Sequence, residues 1–252
     1  MGSDTEAVWH STPAVPPPVS PLSGRRVIVT AGGTREPVDP VRYLGNRSSG
    51  RMGNAIAIAA AQRGSTVTLV TTVDPPDDAR INVVHVETAG EMNAAVRAAL
   101  PGAALLVMAA AVADYRVAEV GSEKIKKSAS LTLQLIPTVD ILRSLVGDPI
   151  REAVFVVGFA AETDDLDANT ARKLVEKQLD LIVLNDISRP DIGMGSVDNE
   201  VTMYDSAGVV AHISKRPKSR VATALLEVVE ARMRDVGTGP TGLEPSRPPQ
   251  SR

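Results

Sequence analysis

Residues 43–53, YLGNRSSGRMG, combine residue types that bind anions with an amide that can hydrogen bond to a carbonyl group. The serines and the glycine at 48–50 stand just before an alanine-rich stretch, 54–62, where the sequence predicts a helix. The first N–H groups of a helix have no partner within it, and the helix dipole makes that end positive. We therefore predict a phosphate-binding turn at Ser48, Ser49 and Gly50, with the amide of Asn46 beside it. A nucleotide or a phosphorylated substrate is the expected ligand.

A second glycine turn, 31–36 (AGGTRE), follows an apolar run at 26–31. Its glycines, including Gly33, allow a ligand to approach the backbone closely, although such a turn alone is weak support for a site. NAD or FAD binding is disfavoured, because no G-x-G-x-x-G pattern precedes the helix and the strand-like run at 66–72 does not end in an acidic residue. The Walker pattern is absent from the sequence as well.

Two charged segments follow a predicted strand. Asp114 comes directly after the small residues at 107–113, and it either binds a hydroxyl group or a cation or simply caps a turn. Lys124 belongs to the run EKIKK at 123–127, which is flanked by glycine and serine. This run is either a lid that neutralises a triphosphate or an ordinary solvated loop.

Phe159 ends another strand-like run, and its ring packs either on a base or in the core. Lys173 and Lys177 lie four residues apart on a predicted helix, where they form either one wall of the same site or a solvated pair. The histidines are too scattered along the chain to predict a metal cluster: His10, His85 and His212.

The elements that must position these residues alternate strand with helix. Apolar runs predict strands at 26–31, 66–72, 81–86, 104–110, 153–158 and 180–184. Helical patterns lie at 50–63, 89–100, 138–146, 164–178 and 218–235. This alternation predicts an α/β, Rossmann-like fold with a mainly parallel sheet and helices on both faces.

Two segments interrupt the alternation. A charged loop at 114–130 leads into a strand-like run at 131–136, and a hairpin pairs 201–204 with 209–213. Both segments are interpreted as insertions that serve a site or an interface, and the hairpin is a small antiparallel one.

The ends of the chain differ from its middle. Residues 1–24 contain five prolines and no apolar period, which predicts a disordered lead or linker. The tail at 237–252 is rich in glycine and proline and is predicted to be disordered as well. Even apolar spacing between them predicts one domain at 25–236.

Charge and composition exclude several classes. A net charge of -3 gives no basic face for nucleic acid. There is no cysteine, so disulfides and thiolate chemistry are excluded. The longest apolar runs, such as 103–113, fall short of the ~20 residues that a membrane helix needs, and the amino terminus lacks a secretory pattern. No membrane association is expected, and a cytoplasmic location is the default.

Seven segments together resemble the phosphopantothenate–cysteine ligase family, which in bacteria is usually the carboxy-terminal domain of the bifunctional coenzyme A biosynthesis protein. They occur in order between residues 25 and 235: AGGTRE at 31–36, DPVRY at 39–43, NRSSG with MG at 46–53, AVADY at 111–115, EKIKK at 123–127, GFAAET at 158–163 and ND at 185–186. Single motifs of this length are not specific, whereas their order and spacing are.

The resemblance implies a two-step ligation. The carboxylate of 4'-phosphopantothenate attacks CTP and releases pyrophosphate, and the amine of L-cysteine then captures the acyl-cytidylate. Asn46 and Lys124 match the family's catalytic positions, Asn46 handling the activated carbonyl group and Lys124 assisting the departure of pyrophosphate. Mg²⁺ is implied as a cofactor, with ligands that the sequence does not identify. By the same match the CTP site comprises Met108, Ala109, Ala110, Asp114, Lys124, Val139, Asp140, Ile141, Leu142, Phe159, Lys173 and Lys177.

Phosphate binding at Gly33, Ser48, Ser49 and Gly50 rests on local chemistry more than on the family. The family commonly has a proline before the aspartate in the segment PTVDI at 137–141, so the match at 139–142 can slip by one residue. The resemblance also implies a homodimer, for which the 201–213 hairpin and the 131–136 strand are the candidate contacts.

Alternatives remain open. A flavin-dependent decarboxylase domain usually precedes this domain in the family, so the chain is either an excised domain or a free-standing paralogue. A paralogue would be a CTP-dependent ligase for a different carboxylate and amine. A nucleotide-binding module without catalysis is the third reading, and the presence of Asn46, Asp114 and Lys124 argues against it.

Overall fold

A computed structural model describes residues 19–162, 166–186 and 196–237. In chain order the strands are β1 (Arg26–Ala31), β2 (Arg35–Pro37), β3 (Tyr43–Gly45), β4 (Thr66–Thr71), β5 (Ile81–His85), β6 (Ala103–Met108), β7 (Tyr115–Val117), β8 (Leu135–Pro137), β9 (Phe155–Glu162), β10 (Leu181–Asp186), β11 (Asp198–Asp205) and β12 (Gly208–Pro217). The helices are α1 (Arg51–Gln62), α2 (Ala89–Ala99), α3 (Ile141–Ser144), α4 (Leu166–Glu176) and α5 (Lys218–Gly237), with one 3-10 turn at Pro149–Arg151.

Eight of the strands form one sheet in the order β12-β11-β10-β9-β6-β1-β4-β5. The six strands from β10 to β5 run parallel to one another, while β11 and β12 are antiparallel. The order reverses between β1 and β6, as in a Rossmann fold, and ligands of such folds bind where the carboxyl ends of the strands diverge. The predicted α/β, Rossmann-like class is confirmed.

Helices cover both faces of the sheet, which explains why β1 and β6 are almost continuously apolar. On one face α1 and α5 pack over β1, β10 and β11, with Ile56, Leu225 and Val201 in the buried cluster. On the other face α2 and α3 bury Met92 and Leu142. We call these the α1/α5 face and the α2/α3 face.

Two glycines let α1 start directly against the end of β1. Gly50, the residue before the helix, has a left-handed backbone with φ of 70°, and a Cβ there would lie 2.3 Å from a methyl carbon of Val73. A Cβ on Gly53 would lie 2.6 Å from both the Cβ of Ala31 and the carbonyl oxygen of Thr30. The amino end of α1 is therefore held against the sheet at the switch point, the place between β1 and β6 where the strand order reverses. Both positions require glycine, because a side chain at either one would collide with its neighbours.

Several predicted boundaries were wrong. The helix predicted at 138–146 is only the four-residue α3, because Asp140 caps it at one end and a turn follows Ser144. The strand predicted at 131–136 is the shorter β8, which pairs with β7 inside the segment predicted as a loop. The predicted strand at 153–158 is the longer β9. The helix predicted at 164–178 is α4, and residues 163–165 lie outside the described part of the chain.

Residues 20–24, which precede the predicted domain start at residue 25, contact the folded core. Leu22 is fully buried in the core cluster of the α1/α5 face. Ser65 Oγ donates a hydrogen bond to the Leu22 carbonyl oxygen at 3.0 Å, and the Gly24 N–H donates to the Gly64 carbonyl oxygen at 2.9 Å. Ser20 Oγ donates to the carboxylate of Glu230 on α5. We call residues 20–24 the amino-terminal anchor.

Two further findings concern only the described residues. None of their helices is long and apolar enough to cross a membrane. No group of three or more histidine, aspartate or glutamate side chains among them is arranged to hold a metal ion.

Candidate functional site

A cavity of about 570 Å³ opens at the carboxyl edge of the sheet, at the switch point between β1 and β6. It is lined by most of the residues that the sequence singles out: Asn46, Ser48, Ser49, Gly50, Met108, Ala109, Ala110, Asp114, Val139, Asp140, Ile141, Leu142, Phe159, Lys173 and Lys177. These residues come from five separate stretches of the chain, which the parallel topology brings to one place.

The amino end of α1 forms the floor of the cavity on the α1/α5 face. The helix has no side-chain cap and no acidic residue in its first turn. Ser48 Oγ accepts a hydrogen bond from the Gly50 N–H at 3.4 Å, which shapes the turn that precedes the helix. This end of the helix is positive and faces the cavity, as an anion site requires.

Asn46 is fixed by two main-chain carbonyl groups across the turn. Its Nδ2 donates to the Val112 carbonyl oxygen at 3.1 Å and to the Ala111 carbonyl oxygen at 3.4 Å. Because both partners are acceptors, the nitrogen must face them. The Oδ1 atom is then the polar atom that Asn46 can offer to a ligand, so its role at a reacting group is that of an acceptor.

The segment 108–114 is tied to the turns on both sides of it. The Ala110 N–H donates to Thr30 Oγ1 at 3.0 Å, and the Ala113 N–H donates to Thr34 Oγ1 at 2.8 Å. Thr138 Oγ1 in turn donates to the Ala113 carbonyl oxygen. This segment is a rigid wall of small residues that ends at Asp114, whose side chain is exposed to solvent.

An ion pair crosses the cavity between α4 and the start of α3. Lys177 Nζ lies 3.0 Å from Asp140 Oδ2, while Asp140 Oδ1 accepts the Arg143 N–H and caps α3. Lys173 lies one turn earlier on the same side of α4 and is half-buried. Two lysines and one aspartate therefore provide a net positive wall that a polyanion can bind.

Among the other lining residues, which were not predicted as site residues, four have charged or amide side chains: Arg51, Asn185, Asn199 and Lys218. Lys218 is 6% exposed, and its Nζ donates to the Ser196 carbonyl oxygen at 2.6 Å. Burial lowers the pKa of Lys218, and the nearby positive charge of Arg51 lowers it further. Both cations stand at the first residue of a helix, where the dipole disfavours them. A cation in that position is the sequence signal that could have identified them.

Two predicted residues do not line the cavity. Lys124 is exposed on the loop at 122–127, which we call the lysine loop. Ile125 of this loop donates its N–H to Asp39 Oδ2 at 3.0 Å and accepts Arg42 Nη2 on its carbonyl oxygen at 3.0 Å. The Arg42 guanidinium holds the pKa of Asp39 well below its usual range. These two hydrogen bonds fix the lysine loop at Ile125, the residue that follows Lys124.

Gly33 lies beside the turn that is predicted to bind phosphate. It forms an isolated parallel bridge with Ala111, and a Cβ added to it would lie 2.5 Å from the Asn46 carbonyl oxygen. In this structure Gly33 provides close packing for the turn that carries Asn46.

Residues 22–233 match the sequence profile of the family described as "DNA/pantothenate metabolism flavoprotein C-terminal domain". This chain belongs to that family. A relative, the coenzyme A biosynthesis bifunctional protein CoaBC of Mycobacterium bovis, is 47% identical over 224 residues, which cover 82% of this chain and 52% of the relative. The chain therefore spans about half the length of the curated relatives that it matches.

Solved structures of the family share the fold. The C-terminal domain of a coenzyme A biosynthesis bifunctional protein CoaBC superposes with a TM-score of 0.71 at 36% identity, covering 85% of this chain and 98% of that domain. The Cab2 H337A mutant, solved in complex with phosphopantothenate-cysteine, superposes with a TM-score of 0.69 at 16% identity, covering 85% of this chain and 89% of Cab2. The second likeness concerns the fold alone.

Proposed function

We propose that this chain is a CTP-dependent ligase that joins 4'-phosphopantothenate to L-cysteine and releases CMP and pyrophosphate. One observation carries the proposal: one cavity at the carboxyl edge of the sheet is lined by all of the site residues that the family resemblance implies except Lys124. Two comparisons support the proposal. The bifunctional relatives are named for coenzyme A biosynthesis, and the Cab2 mutant was solved in complex with phosphopantothenate-cysteine.

In the first step an oxygen of the acid's carboxylate bonds to the α-phosphorus of CTP, and the bond from that phosphorus to the β-phosphate oxygen breaks. Negative charge grows on the departing pyrophosphate. Lys173 and Lys177 stabilise this charge from α4, and Lys177 exchanges Asp140 for the triphosphate when CTP binds. Lys124 reaches the same phosphates from the lysine loop, moving about its fixed neighbour Ile125.

In the second step the cysteine nitrogen bonds to the acyl carbon, the carbon–oxygen bond to CMP breaks, and the nitrogen loses a proton. Asn46 is positioned for this step. With its Nδ2 committed to two main-chain carbonyl groups, Oδ1 can accept a hydrogen bond from the attacking amine and orient its lone pair toward the carbonyl carbon.

Mg²⁺ fits this cavity as a partner of the nucleotide. A triphosphate-bound Mg²⁺ keeps several waters and takes few protein ligands, so a three-carboxylate cluster is not required. Asp114 and Asp140 are the carboxylates that line the cavity and would hold it. The ion neutralises phosphate charge when bound.

The proposal includes a homodimer. Leu131 and Leu135 are 51% and 45% exposed, which is unusual for leucines, and they lie on the segment predicted as a dimer contact. The 201–213 hairpin, whose β12 is an edge strand, is the second contact. Size-exclusion chromatography with light scattering checks this, and Leu131→Ser with Leu135→Ser should shift a dimer to monomer.

The chain spans about half the length of its bifunctional relatives. We therefore propose that a flavin-dependent decarboxylase, either fused to this domain or separate, acts with it in coenzyme A biosynthesis. We propose a cytoplasmic location, without nucleic acid or membrane partners.

The test is an assay of pyrophosphate release from CTP. We expect release only when 4'-phosphopantothenate is present, and amide formation only after L-cysteine is added. Release with a different acid and none with this one would identify a paralogous ligase instead. No release with any acid would leave a nucleotide-binding module.

A pair of lysine variants tests the lysine loop. Lys124→Gln should slow pyrophosphate release by about a hundredfold, since it removes one charge that stabilises the leaving group. Lys215→Gln, an exposed lysine on β12, is the matched control and should leave the rate unchanged. Equal rates for the two variants would contradict the role of Lys124.

A further inference from the structure

The carboxyl end of α4 has carbonyl groups that the helix itself does not pair. The Gln178 N–H donates to the Val175 carbonyl oxygen at 3.1 Å, and the Leu179 N–H donates to the Leu174 carbonyl oxygen at 2.9 Å. Because Gln178 has a left-handed backbone, with φ of 48°, these two bonds form a Schellman motif. The motif leaves the carbonyl groups of Lys177 and Gln178 for other donors.

Arg151, the last residue of the 3-10 turn, binds both of these carbonyl groups. Its Nη1 donates to the Lys177 carbonyl oxygen at 2.7 Å, and its Nη2 donates to the Gln178 carbonyl oxygen. Arg151 is 8% exposed, and its charge interacts with the Asp180 carboxylate. The dipole of a helix favours a cation at this end, and a guanidinium group holds two acceptors in one fixed geometry. The backbone of Lys177 is therefore fixed by a buried side chain that does not line the cavity.

Arg151 is also connected to the other side of the cavity. Asp148 precedes the 3-10 turn, and its Oδ1 accepts the Ile150 N–H at 3.1 Å. Asp148 Oδ2 lies 2.8 Å from Arg97 Nη1 on α2, and Arg97 Nη2 donates to the Ser144 carbonyl oxygen at the end of α3. The carboxyl ends of α3 and α4 are therefore joined by one chain of polar contacts.

This chain of contacts closes into a ring through the ion pair that crosses the cavity. Asp140 caps the amino end of α3, and the carboxyl end of α3 is joined to Arg151 by way of Arg97 and Asp148. Lys177 Nζ lies 3.0 Å from Asp140 Oδ2, which completes the ring. Asp140 and Lys177 line the cavity, and the arginines stand behind them. The ring therefore sets the distance between two charged groups on opposite sides of the cavity.

We infer that Arg151 is a positioning residue for the nucleotide, because it fixes the backbone of Lys177 so that the lysine ammonium group can bind the triphosphate of CTP. The inference rests on the proposed function and adds to it a residue that no ligand touches. When CTP replaces Asp140 as the partner of Lys177, the two hydrogen bonds of Arg151 still hold the end of α4. Without them the main chain at Lys177 shifts, and a misplaced binding group contributes less.

The experiment is a double-mutant cycle, read by calorimetric titration of CTP and Mg²⁺ without acid or cysteine. Lys177→Met should weaken CTP binding about tenfold, because it removes a charge-assisted contact. Arg151→Met should weaken binding about fivefold on its own and less than about twofold in the Lys177→Met background, since it acts through that lysine. Arg151→Lys should restore part of the affinity, because an ammonium group does not hold both carbonyl groups in the same geometry.

Arg26→Met is the matched control. Arg26 also donates two hydrogen bonds at the carboxyl end of a helix, from Nη1 to the Pro101 carbonyl oxygen at 2.6 Å and from Nη2 to the Ala99 carbonyl oxygen at 3.1 Å. That helix is α2, and Arg26 begins β1 at the edge of the sheet opposite the cavity. The variant should bind CTP as wild type does. A loss as large as that of Arg151→Met would assign the effect to helix ends in general and overturn the inference.

The outcomes separate the inference from the proposed function. Equal weakening by Arg151→Met in both backgrounds would show that the arginine acts through its own charge or through the fold, which overturns the inference and leaves the ligase intact. Wild-type affinity of the Lys177→Met protein overturns it too, since this lysine would not contact the nucleotide. Wild-type protein that does not bind CTP refutes the ligase and the inference together. If Arg151→Met does not fold, Arg151→Lys is compared in the two backgrounds, where the same dependence on Lys177 is expected.

Discussion

Gly53→Ala is the sharpest test of how the start of α1 is positioned. The new Cβ would lie 2.6 Å from the Cβ of Ala31 and 2.6 Å from the Thr30 carbonyl oxygen, where ordinary contact begins at about 3.4 Å. Both atoms belong to β1, in the middle of the sheet, and neither can move aside. The helix must therefore retreat from the strand by roughly 0.8 Å, the difference between the two distances.

Two opposing terms decide the effect on stability. Overpacking of a core contact costs about 1–3 kcal/mol, while replacing a helical glycine by alanine gains up to about 1 kcal/mol. We expect a net loss of about 1–2 kcal/mol, which lowers the melting temperature by about 2–8 °C in a domain of this size. The effect on activity should be larger, because a displacement near 1 Å at a substrate-positioning element can cost about a hundredfold in rate.

Gly90→Ala provides the matched control. Gly90 also lies in the first turn of a helix, α2, but a Cβ there would meet nothing closer than Thr88 Oγ1 at 3.9 Å. This variant should be as stable as wild type or slightly more stable, with full activity. Thermal unfolding and the pyrophosphate assay measure both properties. Gly53→Ala protein with wild-type stability and rate would refute the argument that glycine is required for this approach of helix and strand.

Three further changes test other contacts. Asn46→Asp replaces the Nδ2 donor by an oxygen that faces the Ala111 and Val112 carbonyl groups, so acyl-cytidylate should accumulate while amide formation slows by about a hundredfold or more. Mass spectrometry of CTP reactions without cysteine detects the acyl-cytidylate. If no acyl-cytidylate is detected and the amide yield is normal, the proposed role of Asn46 is contradicted. Asp39→Asn should lower the melting temperature above pH 5, and this effect should shrink progressively as the pH falls below about 4. Because the pKa of Asp39 is lowered in the folded protein, its contribution is complete above the ordinary carboxyl pKa of about 3.9 and is lost as the pH falls through the lowered value. Melting curves above and below about pH 4 measure this, and a difference that does not depend on pH would contradict it. Leu22→Ala should lower the free energy of unfolding, measured in urea, by about 2–5 kcal/mol because Leu22 is fully buried. Val19→Ala, at a residue that is 81% exposed, should lower it little. Equal urea midpoints for the two variants would show that the amino-terminal anchor adds no stability.

The sequence predicted the central sheet well because its strands are covered on both faces. Such strands appear as unbroken apolar runs, and β1 and β6 are of this kind. The small ribbons β2–β3 and β7–β8 have strands of three residues, too short for an alternating pattern, and their pairing depends on turns that the sequence does not specify. The anchor was missed because the prolines around it obscured the single buried leucine.

The site divides in the same way. Residues in local motifs, such as Asn46 and Asp114, could be singled out from the sequence because several informative residues lie together in the chain, and both line the cavity. Asn199 and Lys218 were not predicted as site residues, because each is an isolated polar residue in the sequence. Their place in the cavity depends on neighbours that are distant in the chain, on β10 for Asn199 and on α1 for Lys218. Only the fold brings them together.

The amino-terminal anchor also determines where a preceding domain can be attached. Residues 20–24 dock beside Gly64, at the edge of the sheet where β1 begins, whereas the cavity lies at the edge where β1 ends. The six residues of β1 separate the two edges by roughly 20 Å. In a longer chain, a decarboxylase joined before residue 19 would leave from the side opposite the cavity. A linker would have to span at least these roughly 20 Å to bring a second active site to the cavity.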